Sequence, residues 1–564
     1  MKNLRYIGLL SIFGLIAAIY AMGSGGSLYY DDVRPLGNLA NVVDVDSAIN
    51  YVTSESSGPL GRPLSMLTFL PHAIHWSEST QPIFWGNILI HLTCGLLVFL
   101  LTKLLLRLTE FKSPIGTHFT IASAAALLWL VLPIHAATVL IAIQRMAQLS
   151  TLFMLLGLCV YLIGLLKQQQ ITIDRRPIVL SSAIIWQVAG LLSGTFFAIL
   201  SKENGILLPA LILVIEVTLL RNCTGIDKFR KIRVLSGLLG LLLIVFLLVF
   251  YLFKTCNHPE GRDYTTFQRL ISQPFILLDY IRLAFIPAIE SINPFHDNYR
   301  FSKSAFELKT FFAITILSIA FLSAIKLRKT VPLFSFAVLW YFVAHLLEST
   351  TIALELVFLH RNYLALIGPI VALIIAAAKV KNVALVKSSF IGYTLVMTTT
   401  LGLTSNIWGD KLMAAETWFV AQQGSVRANE HLSNMLLKAE KFEESAKVTE
   451  HLASICDDCA GTKLQHAVSK CLAGDDVNIN EVLASVQFAI ADIKNANRLR
   501  GLPDQLVALE QFRTNGICVN IDAERLYGIN LALAEHKLSH LFNPLRLIQN
   551  MYEISVSEKD FDDA

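Results

Sequence analysis

The stretch RVLSGLLGLLLIVFLLVFYLF, residues 233–253, decides the fold class. It carries one charge, Arg233, at its first position. A helix rises about 1.5 Å per residue, so an apolar run of this length crosses the ~30 Å hydrocarbon core of a bilayer. Ten further runs stand near 4–22, 83–105, 118–134, 149–167, 178–200, 205–221, 309–327, 331–347, 364–379 and 386–405, which predicts about eleven transmembrane helices. Composition agrees. Of 564 residues, 54% are hydrophobic and only 16% charged, and mean hydropathy is +0.57. A soluble globular chain has about 25% charged residues. The chain reads as an all-α polytopic membrane protein; a soluble enzyme, a disordered chain and a fibrous chain are excluded. A formal net charge of +4 is small for this length, so nucleic acid is not an implied partner. No zinc-finger spacing, P-loop or G-x-G-x-x-G stands in its required context.

Basic residues orient the runs. Lys2 and Arg5 precede the first. Lys103, Arg107 and Lys112 follow the second; Lys167, Arg175 and Arg176 the fourth; Arg221, Lys228, Arg230, Lys231 and Arg233 the sixth. Lys326, Arg328 and Lys329 follow the eighth, and Lys379, Lys381 and Lys387 the tenth. This alternation predicts a cytoplasmic amino terminus and an outer carboxyl end. The first run starts basic, as a signal peptide does, but Ala18 to Ala21 lack a clean A-x-A site, so a retained anchor is expected. The long outer loops, 23–82 and 254–308, carry the unusual polar groups, and the active face is expected there.

Two domains are expected, 1–405 in the membrane and 406–564 as a soluble outer helical domain. In NEHLSNMLLKAEKFEESAKVTEHLA, residues 429–453, Leu432, Leu436, Ala439, Phe442 and Ala446 recur at steps of three and four. That spacing suggests two helices joined at Glu440–Lys441, a tetratricopeptide-like unit or a plain helical bundle. Four of the eight cysteines, Cys456, Cys459, Cys471 and Cys518, lie in this part. They fit two disulfides with three possible connectivities, in preference to a metal or redox C-x-x-C site. Cys94 and Cys159 fall in spans and are expected to be buried and inert.

Seven segments could carry chemistry. LYYDDVRPL (28–36) sets Asp31 beside Asp32 at a membrane edge, either a general base with a supporting carboxylate or a solvated turn paired with Arg34. SSGPLGRPLSMLTFLPHAIHW (56–76) brackets Arg62 with Gly58, Gly61 and Pro63. That rigid turn would present a guanidinium to phosphate or merely anchor the interface. LPIHAATVLIAIQRMAQLS (132–150) places His135 and Arg145 around a short external helix. A cation at a helix start favours an anion nearby, and snorkelling is the plain alternative. LSKENGILLP (200–209) sets Lys202 and Glu203 in a tight charged turn. FQRLISQPFILLDYIRLAFIP (267–287) reads as a membrane-edge amphipathic helix whose Arg282 could meet a lipid phosphate, and NPFHDNY (293–299) follows it. HLLESTTIALELVFLHRNYLALIG (345–368) puts Glu348 and Glu355 seven apart, on one face if helical, before the tetrad His360, Arg361, Asn362 and Tyr363. Such a tetrad entering an apolar run is costly without function, which favours a phosphate or sugar contact.

In this order, these segments resemble a bacterial branch of the GT-C membrane glycosyltransferases. That superfamily includes protein O-mannosyltransferases and relatives with tetratricopeptide tails. The chain looks most like the type IV pilin glycosyltransferases. The resemblance runs along nearly all of residues 1–405, carried by YYDDVRPL, GPLGRPLS, LPIHAATVLIAIQRMAQLSTLF, LSKENGILLP, SQPFILLDYIRL, FHDNY and LLESTTIALELVFLHRNYL. It implies inverting transfer of a sugar from a polyprenyl-phosphate donor to an acceptor hydroxyl, with a pilin-like protein as acceptor, at a bacterial inner membrane with the tail in the periplasm. It also implies a general base at Asp31 or Asp32, with Asp31 expected as the base and Asp32 in support. Family members often have Asp-Glu there, so Asp-Asp leaves the choice of base open. Arg62, Arg145 and Arg361 are the implied donor-phosphate contacts. His135, Lys202, Glu203, Arg282, Glu348, Glu355, His360, Asn362 and Tyr363 would line the cavity. No cofactor is expected, although a pyrophosphate-linked donor would call for a divalent metal. A lipid or glycan acceptor would keep this chemistry. A transporter would show broken helices and midplane charges, and a scaffold would tolerate loss of the carboxylates.

Overall fold

The computed structural model describes residues 2–55, 58, 60–75, 79–173, 182–255, 262, 264–456, 459–475, 477–490, 499, 502–518, 521–536 and 544–557. Arg175 and Arg176 of the charge argument lie outside them. Among the described residues every regular element is a helix. The chain divides into two compact units. The first comprises Met1–Lys254, Phe267–Pro294 and Phe301–Lys411; the second comprises Thr255–Thr266, Phe295–Arg300 and Leu412–Ala564.

Five helices of the first unit are long and apolar enough to cross a membrane: Gln81–Leu108, Ala142–Ile173, Ser182–Ser201, Arg230–Phe253 and Leu308–Leu327. Two further candidates are broken. His118–Leu130 and Pro133–Val139 meet at 55°, and Leu359–Ala365 and Ile367–Ala377 at 49°. These make five to seven candidate spans among the described residues, against the eleven expected. The other four runs are helical but fall short. Leu208–Val217 and Pro332–His345 have 10 and 14 residues, Ile7–Ala21 is the apolar part of the first helix, and Val383–Gly409 is diluted by Lys387 and repeated Ser and Thr.

Residues Arg145–Ile173 and Ser182–Ser201 pack closely, and glycines permit it. A Cβ on Gly157 would stand 2.6 Å from the Gly190 carbonyl oxygen, and one on Gly190 the same distance from that of Gly157. Small residues of this kind let helix backbones approach closely, as in packed apolar helices. Arg233, the one charge of the opening stretch, is buried. Its Nε stands 2.7 Å from Glu216 Oε1, which also accepts from the Tyr161 hydroxyl at 2.6 Å. Pairing is what makes such a charge tolerable at the end of an apolar helix.

The stretch 131–150 differs from the short external helix expected of it. All twenty residues are buried. Short turns, Pro133–His135, Ala136–Val139 and Ala142–Gln144, lead into Arg145–Ile173. Irregular backbone at such depth persists only where protein satisfies its polar groups. The segment between Glu348 and Glu355 is also not helical, so these residues do not share a helix face as the seven-residue spacing suggested.

The second unit contains consecutive helices of 12–14 residues: Val426–Lys438, Phe442–Ile455, Ala460–Leu472, Ile479–Ile490, Leu502–Thr514, Ala523–Glu535 and Pro544–Ser557. Glu440, at φ 57°, turns the first into the second. Leu464, Leu483, Leu506, Leu526, Ile529 and Leu547 belong to one buried apolar cluster. Phe295 sits edge-on to Trp418 at 5.8 Å, and Asp297 accepts from the Ser425 hydroxyl at 2.5 Å, so part of the FHDNY segment packs within this unit. Two disulfides join Cys456 to Cys459 and Cys471 to Cys518.

Candidate active site

The first carboxylate pair opens the helix Tyr30–Gly37. Asp31 is exposed and Asp32 fully buried. Asp32 Oδ2 accepts the Tyr29 backbone N–H at 2.9 Å, closing the helix start, and Oδ1 accepts that of Ile143 at 2.7 Å. Burial pushes the Asp32 carboxyl up from 3.8 to about 7, with Asp31 adding to the rise, while these backbone donors oppose it. Asp32 therefore fastens the pair to the turn before Arg145 and leaves Asp31 facing outward.

Arg62 lies in the left-handed region, at φ 49°, just after Gly61 at φ 68°. Its Nη2 stands 3.0 Å from Glu203 Oε2, and its Nη1 stands 3.2 Å from Met146 Sδ. Gly58 leaves room for that carboxylate, since a Cβ there would stand 1.8 Å from Glu203 Oε1. The neighbouring Lys202 turns elsewhere and pairs with Glu348 at 2.5 Å, both side chains under a tenth exposed. Burial alone would raise the Glu348 carboxyl, but Lys202, His360 and Arg361 hold it well below its usual value.

Arg361 donates to the carbonyls of Leu356 at 2.8 Å and Glu355 at 2.6 Å, and its Nε is buried without a hydrogen-bond partner. His360 packs on Phe358 at 4.9 Å and senses Lys202, Glu348, Arg361 and Arg62 together. The Asn362 amide donates to the Leu359 carbonyl at 3.1 Å while its Oδ1 has no partner. The structure thus brings Arg62, Lys202, Glu203, Glu348, His360 and Arg361 into one charged cluster. Contacts through Met146 and Ile143, three residues apart, link it to the carboxylate pair.

The remaining expected residues stand differently. His135 and Tyr363 join His91 and Trp129 in a buried aromatic group, with His91 Nδ1 2.8 Å from the Tyr363 hydroxyl. Glu355 takes part through its backbone carbonyl, which accepts from Arg269 and Arg361. Arg282 is about half exposed and pairs with Asp279 at 2.7 Å. Arg145 is 2% exposed, and each of its guanidinium nitrogens already has a protein partner.

No protein-family model, curated protein or solved structure matches the chain.

Two supporting groups lie outside the expected site residues: Arg269, Gln273 and Tyr280, which punctuate the amphipathic stretch 267–287 whose Arg282 was the expected contact, and Asn87. Arg269, fully buried, donates to the carbonyls of Glu348 at 2.5 Å, Thr350 at 3.1 Å and Glu355 at 3.1 Å, and also to that of Leu354. Gln273 reaches the Leu356 carbonyl at 3.4 Å, and the Tyr280 hydroxyl accepts the Phe358 N–H at 2.8 Å. Residues 269, 273 and 280 share a face of Thr266–Phe285, and that face holds the loop bearing Glu348 and Arg361. Their spacing by four and seven was the available signal. Asn87 is the other group, a lone amide inside an apolar run.

Proposed function

We propose that the chain is an integral-membrane inverting glycosyltransferase of the GT-C kind, moving a sugar from a polyprenyl-phosphate donor to an acceptor hydroxyl. The observation that carries this reading is the linkage of an outward-facing carboxylate, Asp31, to a largely buried cluster of cations through one short turn. Asp31 takes the proton of the acceptor hydroxyl as its oxygen forms a bond to the anomeric carbon. The bond from that carbon to the phosphate oxygen breaks on the opposite face, inverting the centre, and the phosphate leaves with the bonding pair. Lys202, Arg62 and Arg361 stabilise the charge that develops there. Glu203 and Glu348 pair with Arg62 and Lys202 and hold two of these cations in place.

The apolar helices support a multi-pass membrane protein. We extend this to eleven spans at a bacterial inner membrane, with the second unit a periplasmic tetratricopeptide-like domain that orients a pilin-like acceptor. The test compares glycan mass on outer-face proteins in cells carrying the intact chain, Asp31→Asn or Arg361→Ala at matched protein levels. Loss of a defined sugar mass in both variants is expected. Unchanged protein-linked and lipid-linked glycans in both would overturn the transferase reading.

The two bent helix pairs favour a second reading, transport, because broken helices line solute paths. Purified chain in vesicles decides between the two. Solute uptake with the lipid-linked sugar left intact would replace transfer by transport.

A further inference from the structure

We infer that Asn87 and Arg145 are positioning residues for the carboxylate pair: they hold the turn 139–144 so that the Ile143 N–H meets Asp32. The inference rests on the reading above that Asp31 and Asp32 serve the chemistry, and it gives Arg145 a role other than contact with donor phosphate.

Asn87 is fully buried in Gln81–Leu108. Its amide nitrogen lies 3.2 Å from the Val139 carbonyl, 3.1 Å from that of Ile141 and 3.2 Å from that of Ala142. Its oxygen accepts from Arg145 Nε at 2.8 Å. Arg145 Nη1 donates to the Thr68 carbonyl at 2.7 Å and Nη2 to that of Ile83 at 2.8 Å. Both Nη atoms lie within 3.4 Å of His72 Nε2, and the guanidinium covers the Phe69 ring at 4.2 Å. Gly86 leaves the room, since a Cβ there would stand 2.6 Å from Arg145 Nη2.

This arrangement uses every direction in which a planar guanidinium donates. A phosphate contact would have to displace one of these partners, whereas the turn already exploits all of them. The three carbonyls that Asn87 gathers belong to the turn that supplies the Ile143 N–H to Asp32. Removing Asn87 or Arg145 frees the turn, and the hydrogen bond that favours the ionised Asp32 weakens. Asp31 and the Tyr29 phenol are the titratable groups coupled to Asp32, and neither variant alters them.

The test uses the full chain in lipid nanodiscs. Infrared titration follows the protonated-carboxyl band that Asp32→Asn abolishes. Asn87→Leu keeps the bulk and adds no charge but loses the amide donor, and Arg145→Lys keeps the charge but not the fork. Each should raise the titration midpoint by about one pH unit, the scale of one hydrogen bond to a charged group. The double variant should shift it no further than the larger single shift, because both act through one turn. A midpoint unchanged from wild type in both folded single variants would overturn the inference. If either fails to fold, Gly86→Ala, which crowds the guanidinium, carries the same test. The readout needs neither donor nor acceptor, so it stands apart from failure of the transferase reading. In an active preparation, positioning predicts a shifted acid limb of kcat with KM for the donor unchanged; a raised donor KM with an unshifted limb would count against it.

Discussion

Lys202 and Glu203 are consecutive in the chain, yet each is neutralised by a residue far away in it, Glu348 and Arg62. Lys202→Met should destabilise the first unit by about 3–5 kcal/mol, because it leaves Glu348 buried without its ion partner. Thermal unfolding in nanodiscs measures this, and Lys202→Met with Glu348→Leu should recover most of the loss. Asp32 predicts a pH dependence. Its carboxyl is raised in the fold from 3.8 to about 7, so between those values the folded chain binds more protons than the unfolded one. Its contribution is complete below about pH 4 and is lost as pH rises through about 7. Relative to Asp32→Asn, wild-type stability should fall across that window; a constant difference would contradict the shift. The sequence marked these charged residues as candidates because charges interrupting apolar runs are costly. It could not say which carboxylate of the Asp pair is buried, since adjacent residues in a helix differ in exposure only through what packs beside them.

At the level of the element, the loop 346–358 shows how much packing decides. The spacing of Glu348 and Glu355 fits a helix, but Arg269 captures the carbonyls of Glu348, Thr350, Leu354 and Glu355, which a helix would need for its own ladder. Arg269→Gln should loosen this loop, with a stability loss on the order of 3 kcal/mol. Hydrogen exchange should accelerate in the loop and at Arg361 while Gln81–Leu108 keeps its protection. Unchanged exchange would show that the loop is held by other means. Gly190→Val should separate Arg145–Ile173 from Ser182–Ser201, because the new side chain meets the Gly157 carbonyl. The long apolar helices were legible from length alone. The breaks at 55° and 49° were not, because the prolines and polar groups near them fit continuous and broken spans alike.

Over the whole molecule, each unit follows its own physics. The disulfide between Cys471 and Cys518 closes a long loop in the second unit, and constraint of the unfolded chain by a loop of this size contributes about 4 kcal/mol. Cys471→Ser should therefore speed hydrogen exchange in Leu502–Thr514 without touching the helices of the first unit. Equal acceleration in both would mean that the units unfold together. The sequence by itself determined that the described residues are all-helical, that the first part holds helices long and apolar enough to cross a membrane, and that dispersed apolar spacing governs the last part. Those properties follow from the length and period of apolar runs, which are local. The tertiary structure alone decided that Asp32 rather than Asp31 is enclosed, that Arg145 is spent on backbone carbonyls, and that Arg62 and Glu348 reach one cluster through Lys202 and Glu203. Each depends on which distant backbone groups arrive beside a side chain, and chain spacing carries no record of that.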